Sequence, residues 1–464
     1  FIVEKNRDFG GRARRLKAKG FTFDMGPSWY WMPDVFDKYF KNHGEKIEDY
    51  LQLTRLNPSY KVFFSNSHKV TIPSKFNEIK KIFEKYEKGS GKKLEKYLIH
   101  AKKKYEISIN KFFHKPSKSI FEFFSLEIIS GLLKMDIFKS MHSHIRKFFQ
   151  NEFLIKIIEF PLLFLGATPK NTPALYSLMN YADIKLGTWY PQGGMYSVIE
   201  GMITLAKKKG VVFYSNNEVI GFQFSNRSIT KVETEKKLFD VDVVLSGADY
   251  YHTEQNLLPK EYRNYSSNYW RNRIMAPSSL LFFIGTNKKV KNIEHHCLFF
   301  DKDFNQHAKE IYENPQWPEE PLFYASFASK NDDSVCPKKC ENIVLLIPIA
   351  PDLKDSDSIR EKYYNLIMNR LELLTNQKIR KHIIFKKSYS IKNFKKDYNS
   401  FKGNAYGLAN TLFQTAIFKP SITNKKLSNL YYCGQLTVPG PGVPPSIISG
   451  QVVAKEIVKD FRKK

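Results

Sequence analysis

The chain has 464 residues, 42% hydrophobic and 26% charged, enough for a large core shared among two or three domains. Four cysteines in a chain of this size exclude a disulfide framework, and no apolar run approaches the ~18 residues of a membrane-spanning helix. The net charge of +28 fits a solvated lysine-rich face or an anionic membrane surface, and the lack of any recognisable nucleic-acid module excludes that third partner.

At the start, Phe1-Ile2-Val3-Glu4 reads as a strand ending in an acid, followed by Lys5-Asn6 and Gly10-Gly11-Arg12. In dinucleotide-binding folds such an acid takes ribose hydroxyls, roughly 20 residues beyond the phosphate-binding glycines. Those glycines would precede Phe1, so a first strand, a glycine loop and a helix are expected upstream. Phe21-Thr22-Phe23-Asp24 alternates as a strand that Met25-Gly26-Pro27 turns, and residues 61–64 and 69–73 pair around Asn66-Ser67.

From 76 to 165 the pattern is helical. Lys102, Lys103, Lys104, Lys111, Lys115 and Lys118 lead into Ile120, Phe121, Phe123, Phe124 and an apolar stretch that continues to Phe138. Such a segment can lie in a membrane interface, or its stripes can pack on one another.

Tyr190-Pro191-Gln192-Gly193-Gly194 leads into a helix over 195–206, where two glycines let backbone approach a ligand. Strands follow at 211–214 and 218–222. The apolar run 241–245 reads as a buried parallel strand, ending at Gly247-Ala248-Asp249, where Asp249 can cap the next helix. Residues 256–424 combine strands at 278–284, 298–300 and 343–348 with an amphipathic helix over 359–373. His295 and His296 lack a third ligand, and Cys336 and Cys340 lack a second pair, so no metal is expected.

In the tail, residues 430–433 form a strand and Gly434-Gln435 opens a loop through Thr437-Val438-Pro439-Gly440-Pro441-Gly442-Val443-Pro444-Pro445. A helix follows, with Ile447, Ile448, Val452 and Ile457 on one side. A glycine-rich loop entering a helix offers backbone N–H groups and a positive dipole end to a flat anionic ligand.

Glu4-Lys5-Asn6, Gly10-Gly11-Arg12-Ala13-Arg14, Phe23-Asp24-Met25-Gly26-Pro27-Ser28, Tyr190-Pro191-Gln192-Gly193-Gly194-Met195, Gly247-Ala248-Asp249-Tyr250 and this tail together resemble the phytoene desaturase family of FAD-dependent carotenoid desaturases. The resemblance implies an α/β fold. Its FAD-binding Rossmann-like domain, of the glutathione-reductase type, would draw on 1–75, 186–255 and 425–464. Interleaved with it would be a helical substrate and membrane segment at 76–185 and a mixed sheet plus helices, an α+β substrate domain, at 256–424.

The same resemblance implies that Glu4, Lys5, Gly10, Gly11 and Arg12 hold FAD, with Arg12 on a phosphate or ribose oxygen. Met25, Gly26 and Pro27 would lie beside the flavin ring, with Tyr190, Gln192, Gly193 and Gly194 completing that side. Val219 would hold the adenine through its backbone, and Ala248, Asp249, Gly434, Gln435, Gly442, Val443 and Pro444 would close the site.

The implied activity is stepwise oxidation of phytoene toward lycopene in carotenoid biosynthesis, with oxygen or a quinone as final acceptor. A hydride can leave a CH2 beside conjugated double bonds because the cation left behind is delocalised, and a proton then leaves the adjacent carbon. His142, His144 and Arg146 are candidates for a proton relay, and the catalytic residue stays unassigned. C30 carotenoid desaturases, carotenoid oxygenases and retinol saturase-like flavoproteins share this architecture, and a cofactor-less lipid-binding remnant is the non-enzymatic alternative. A hydrocarbon substrate places the protein peripherally on the cytoplasmic face of a membrane.

Overall fold

A computed structural model describes residues 1–119, 122, 136, 139–164 and 168–462. The apolar stretch from Ile120 to Phe138 lies outside the described residues apart from Glu122 and Asp136.

Two short parallel pairs bring distant parts of the chain together. Ile2–Val3 pairs with Phe213–Tyr214, and Val244–Ser246 pairs with Leu430–Tyr432. Parallel pairing requires a crossover, so the head lies beside the middle of the chain and the middle beside the tail. The strand expected at 241–245 forms at Val244–Ser246, and Leu245 is exposed rather than buried. Among the described residues this strand is paired on one side only, and Val244, Leu245 and Ser246 border a cavity.

A seven-stranded sheet forms the other half. Its order is Ile383–Tyr389, Ser278–Thr286, Glu341–Ile349, Phe323–Ser326, His296–Phe299, Tyr60–Phe63 and Lys69–Ile72. Neighbours are antiparallel except His296–Phe299 with Tyr60–Phe63, which run parallel. The hairpin over 60–72 was expected in the cofactor half. It instead extends the sheet of the 256–424 segment, because Val62 and Phe63 find register with Leu298 and Phe299.

Side chains alternate across this sheet. Leu280, Phe282, Ile284, Leu345 and Ile347 pack on Tyr363, Ile367 and Leu371 of the helix Asp357–Thr375, whose first turn is capped by Ser356. Leu281, Phe283, Val344, Leu346 and Tyr324 face the opposite core, with Phe21, Phe23 and Trp31. Both faces are covered, which is why these strands read as unbroken apolar runs.

The helices Phe76–Tyr86, Ser90–Ile107, Met141–Ile145 and Glu152–Glu159 pack into that same core through Ile79, Leu94, Tyr97, Ile145 and Ile155. Among the described residues no helix is long and apolar enough to cross a membrane. The closing helix runs Val443–Phe461, three residues longer at its start than the pattern suggested. Pro444 and Pro445 sit in its first turn, where a missing N–H costs nothing.

Candidate functional site

A cavity of about 1540 Å³ runs between the two halves. Ordinary small-ligand pockets occupy roughly 300–1,000 Å³, so this space exceeds one such ligand. Ile2 and Leu245, from the two parallel strand pairs, border it as well.

One end is polar. Glu4 follows the strand Ile2–Val3, where its Oε1 accepts from the backbone N–H and the amide of Asn6 at 2.8 and 2.9 Å. Lys5 Nζ meets Glu218 at 3.1 Å and donates to the Lys396 carbonyl and Asn399. Gly10, Gly11, Val219, Ala248 and Asp249 line the same end. Asp249 borders the cavity, and its carboxylate caps the next helix, accepting from the His252 N–H and also from the Phe401 N–H.

The middle is backbone. Met25, Gly26 and Pro27 face Gly434, Gln435, Gly442, Val443 and Pro444 across it. The closing helix opens at Gly442 without a side-chain cap. Its prolines carry no N–H and Ser446 N–H is bonded back to Gly442, so Val443 supplies the first-turn donor and the helix dipole supplies the field. Gly434 leaves open space where a side chain would stand. An acid placed for hydroxyls, a bare helix N-terminus and open glycine backbone suit an extended nucleotide bearing a flat ring.

Arg12 borders the cavity, but its donors are taken by protein. Nη1 donates to the Asn404 carbonyl at 2.6 Å and Nη2 to Ser400 Oγ at 3.0 Å, with Asp249 at 3.9 Å. In the amide orientation that satisfies both groups, Gln435 accepts from Nε and Nη2 at 3.0 and 3.1 Å. The expected contact from Arg12 to a phosphate or ribose is therefore replaced by a clamp joining four chain segments.

Tyr190, Gln192, Gly193 and Gly194, expected to complete the flavin side, do not line this cavity; Tyr190, Gly193 and Gly194 instead line a small separate pocket with Asp24 and Ser28. Tyr190 Oη and the Gly193 N–H both donate to Asp332, at 2.9 and 2.7 Å, and Gln192 donates to Thr54. Gly194 has φ +94°, and a Cβ there would stand 2.9 Å from Asp24 Oδ2. Its smallness admits that carboxylate to the N-terminus of the helix Tyr196–Lys208, where it accepts from the Met195 and Tyr196 N–H groups. Burial outweighs those bonds and pushes the Asp24 carboxyl up to about 7.

The other end is apolar, lined by Trp29, Trp31, Met179, Leu281, Tyr324 and Leu346. Trp31 is held by a buried chain: its Nε1 donates to Thr188, Thr188 donates to Asp183 at 3.1 Å, and Tyr60 donates to the other Asp183 oxygen at 3.0 Å. Burial raises the Asp183 carboxyl to about 7. This wall, which begins just past Ser28, was missed in the sequence, although the aromatic run Trp29-Tyr30-Trp31 beside Gly26-Pro27 was a signal that could have found it. Tyr324 lies in an ordinary strand and gave no such signal.

None of His142, His144 and Arg146 reaches the cavity. Arg146 is drawn to Glu152 and Glu159 of the neighbouring helix and to His142, while His144 is buried against Tyr97 and Phe148. His295 turns to Asn331 and His296 to Tyr324. Among the described residues no cluster of three His, Cys, Asp or Glu side chains could hold a metal.

The family model of the flavin containing amine oxidoreductases matches residues 1–458. A carotenoid 3,4-desaturase of Haloarcula japonica is 36% identical over 99% of this chain and 93% of its own. A 4,4'-diapophytoene desaturase of Staphylococcus haemolyticus is 29% identical, with coverage of 99% and 94%. Among solved structures, an oxidoreductase from Methanosarcina mazei superposes with a TM-score of 0.61 at 13% identity, covering 98% of this chain and 93% of the other, a likeness of fold alone.

Proposed function

Because the chain belongs to the flavin containing amine oxidoreductases and, among them, to the carotenoid desaturases, we propose that its cavity holds FAD at the polar end and a carotenoid chain at the apolar end. The protein is an FAD-dependent oxidoreductase that acts on CH–CH units of a carotenoid. Bound FAD supplies a two-electron acceptor for hydride. Glu4 is placed for ribose hydroxyls, and the Gly442 helix entrance for the electron-rich edge of the ring. Gly26 and Pro27 close the opposite side.

The observation that carries this reading is one continuous cavity with nucleotide-type backbone at one end and Trp29, Trp31, Leu281 and Leu346 at the other. Those walls exclude water and orient a molecule without polar handles, so substrate choice rests on length and shape. Phytoene, oxidised stepwise toward lycopene, is the substrate proposed first. Desaturation of an already coloured carotenoid at its end is the second reading, favoured by the 36% identity to the Haloarcula protein. Incubating the holoenzyme with each polyene separates them: phytoene turning red supports the first, and a red shift only with coloured substrate supports the second. No absorbance change with either sinks both.

A hydrocarbon substrate and an electron acceptor, a quinone or oxygen, would both be met at a membrane. Phe413 is 73% exposed and Phe418 47%, and Leu412, Ile417 and Phe418 line the cavity. An exposed aromatic pair continuous with the apolar cavity suits insertion into lipid, and the charge of +28 suits an anionic surface. Peripheral attachment at the cytoplasmic face agrees with four unpaired cysteines.

A further inference from the structure

Desaturation removes a hydride and a proton, and nothing assigned so far takes the proton. We propose that the Tyr324 hydroxyl, hydrogen-bonded to His296 beneath Trp29, accepts it; this rests on the desaturase reading.

Tyr324 lines the apolar end of the cavity together with Trp29 and Leu346. Its Oη lies 2.6 Å from His296 Nδ1. The His296 ring stacks on Trp29 with centroids 3.9 Å apart and planes 14° off parallel. His296 is fully buried, and its Nε2 has no partner among the described residues. Burial holds this imidazole neutral, well below its usual range, and keeps the phenol protonated.

The competing groups are committed elsewhere. Of the cavity carboxylates, Glu218, Asp249, Asp397 and Asp240 pair with Lys5, Arg12, Arg14 and Lys231. Glu4, Asp242 and His252, the last bonded to Asn256 and Asn399, stand with the polar end. Tyr176 and Tyr406 also face the cavity, and their hydroxyls meet Thr415 and Ser279 as that of Tyr324 meets Ser326 and Ser28, but Tyr324 has His296 as well. Among the described residues that line the apolar end, Tyr324 alone is backed by an imidazole.

The electron pair of the first C–H bond leaves as hydride to FAD. The neighbouring C–H bond then breaks, its electron pair becoming the new C=C. Its proton goes to Tyr324 oxygen as the phenol proton passes to His296 Nδ1, leaving a neutral product and an imidazolium. A proton beside a polyene cation is so acidic that a weak base suffices. The stacked Trp29 face favours the new imidazolium.

The test uses holoenzyme in single turnover with a carotenoid deuterated at the proton-losing carbon. Tyr324→Phe is expected to keep its FAD absorbance and to form product about 100-fold more slowly. The isotope effect at that carbon should rise above that of the unsubstituted enzyme. His296→Asn, which accepts a hydrogen bond but cannot carry the proton, should raise it too, and decides the matter if Tyr324→Phe fails to fold. Unchanged rates, or slower turnover with an unchanged isotope effect, overturn the relay while leaving the desaturase reading intact. An unsubstituted holoenzyme inactive on every carotenoid overturns both.

Discussion

The backbone of Gly26 lies against the carbonyl oxygen of Arg12: a Cβ added to Gly26 would stand 2.1 Å from it. The turn after Phe21–Asp24 and the loop after Ile2–Val3 therefore share a space that admits hydrogen only. Gly26→Ala must push the 10–13 loop aside, at a cost of about 1–3 kcal/mol. The variant should purify with reduced flavin absorbance and an earlier denaturation midpoint. Full FAD occupancy in Gly26→Ala would show that this approach does not shape the site.

Arg12 joins residues 249, 400, 404 and 435 through a planar fork. Lysine keeps the charge but cannot span them. Arg12→Lys should lower stability by about 1–3 kcal/mol, read by urea denaturation of the apoprotein. A clamp predicts this loss without any cofactor present. A variant that loses FAD affinity but keeps apoprotein stability would restore a direct contact with the cofactor.

Lys419 is buried, its Nζ has no hydrogen-bond partner among the described residues, and burial lowers its pKa from 10.5 to about 8. Between those values the unfolded chain binds more protons than the folded one, so stability rises as pH increases from about 8 to 10.5. The gain approaches about 3 kcal/mol. Lys419→Met should flatten that rise, and denaturation curves across this pH range will show it. The same slope in both proteins would mean the ammonium finds compensation.

Phe413→Ser with Phe418→Ser removes the exposed pair at the cavity mouth without touching its polar end. Co-sedimentation with anionic vesicles should fall by at least tenfold, about 1.4 kcal/mol, while flavin content holds. Retention of full vesicle binding would move the membrane contact elsewhere on the protein.

The segments legible in the sequence were those whose signal is contiguous. Ile2–Val3 ending at Glu4, the Met25-Gly26-Pro27 turn, the helix Asp357–Thr375 and the Gly442 helix entrance each carry their pattern within a few residues, and all appear in the structure. Hydrophobic period and glycine placement are local quantities, which a chain displays before it folds.

What tertiary structure decided is every relation whose partner lies far along the chain. Whether Arg12 meets a ligand or Asn404, whether Gly194 faces a cofactor or Asp24, and whether the 60–72 hairpin joins one sheet or another depend on which surfaces packing brings together. Tyr324 and His296 are diagonal neighbours on adjacent strands, with Trp29 stacked over the histidine, only because the seven-stranded sheet sets His296 opposite Ser326 and Leu298 opposite Tyr324. No local pattern encodes such a register; the burial of both sheet faces selects it.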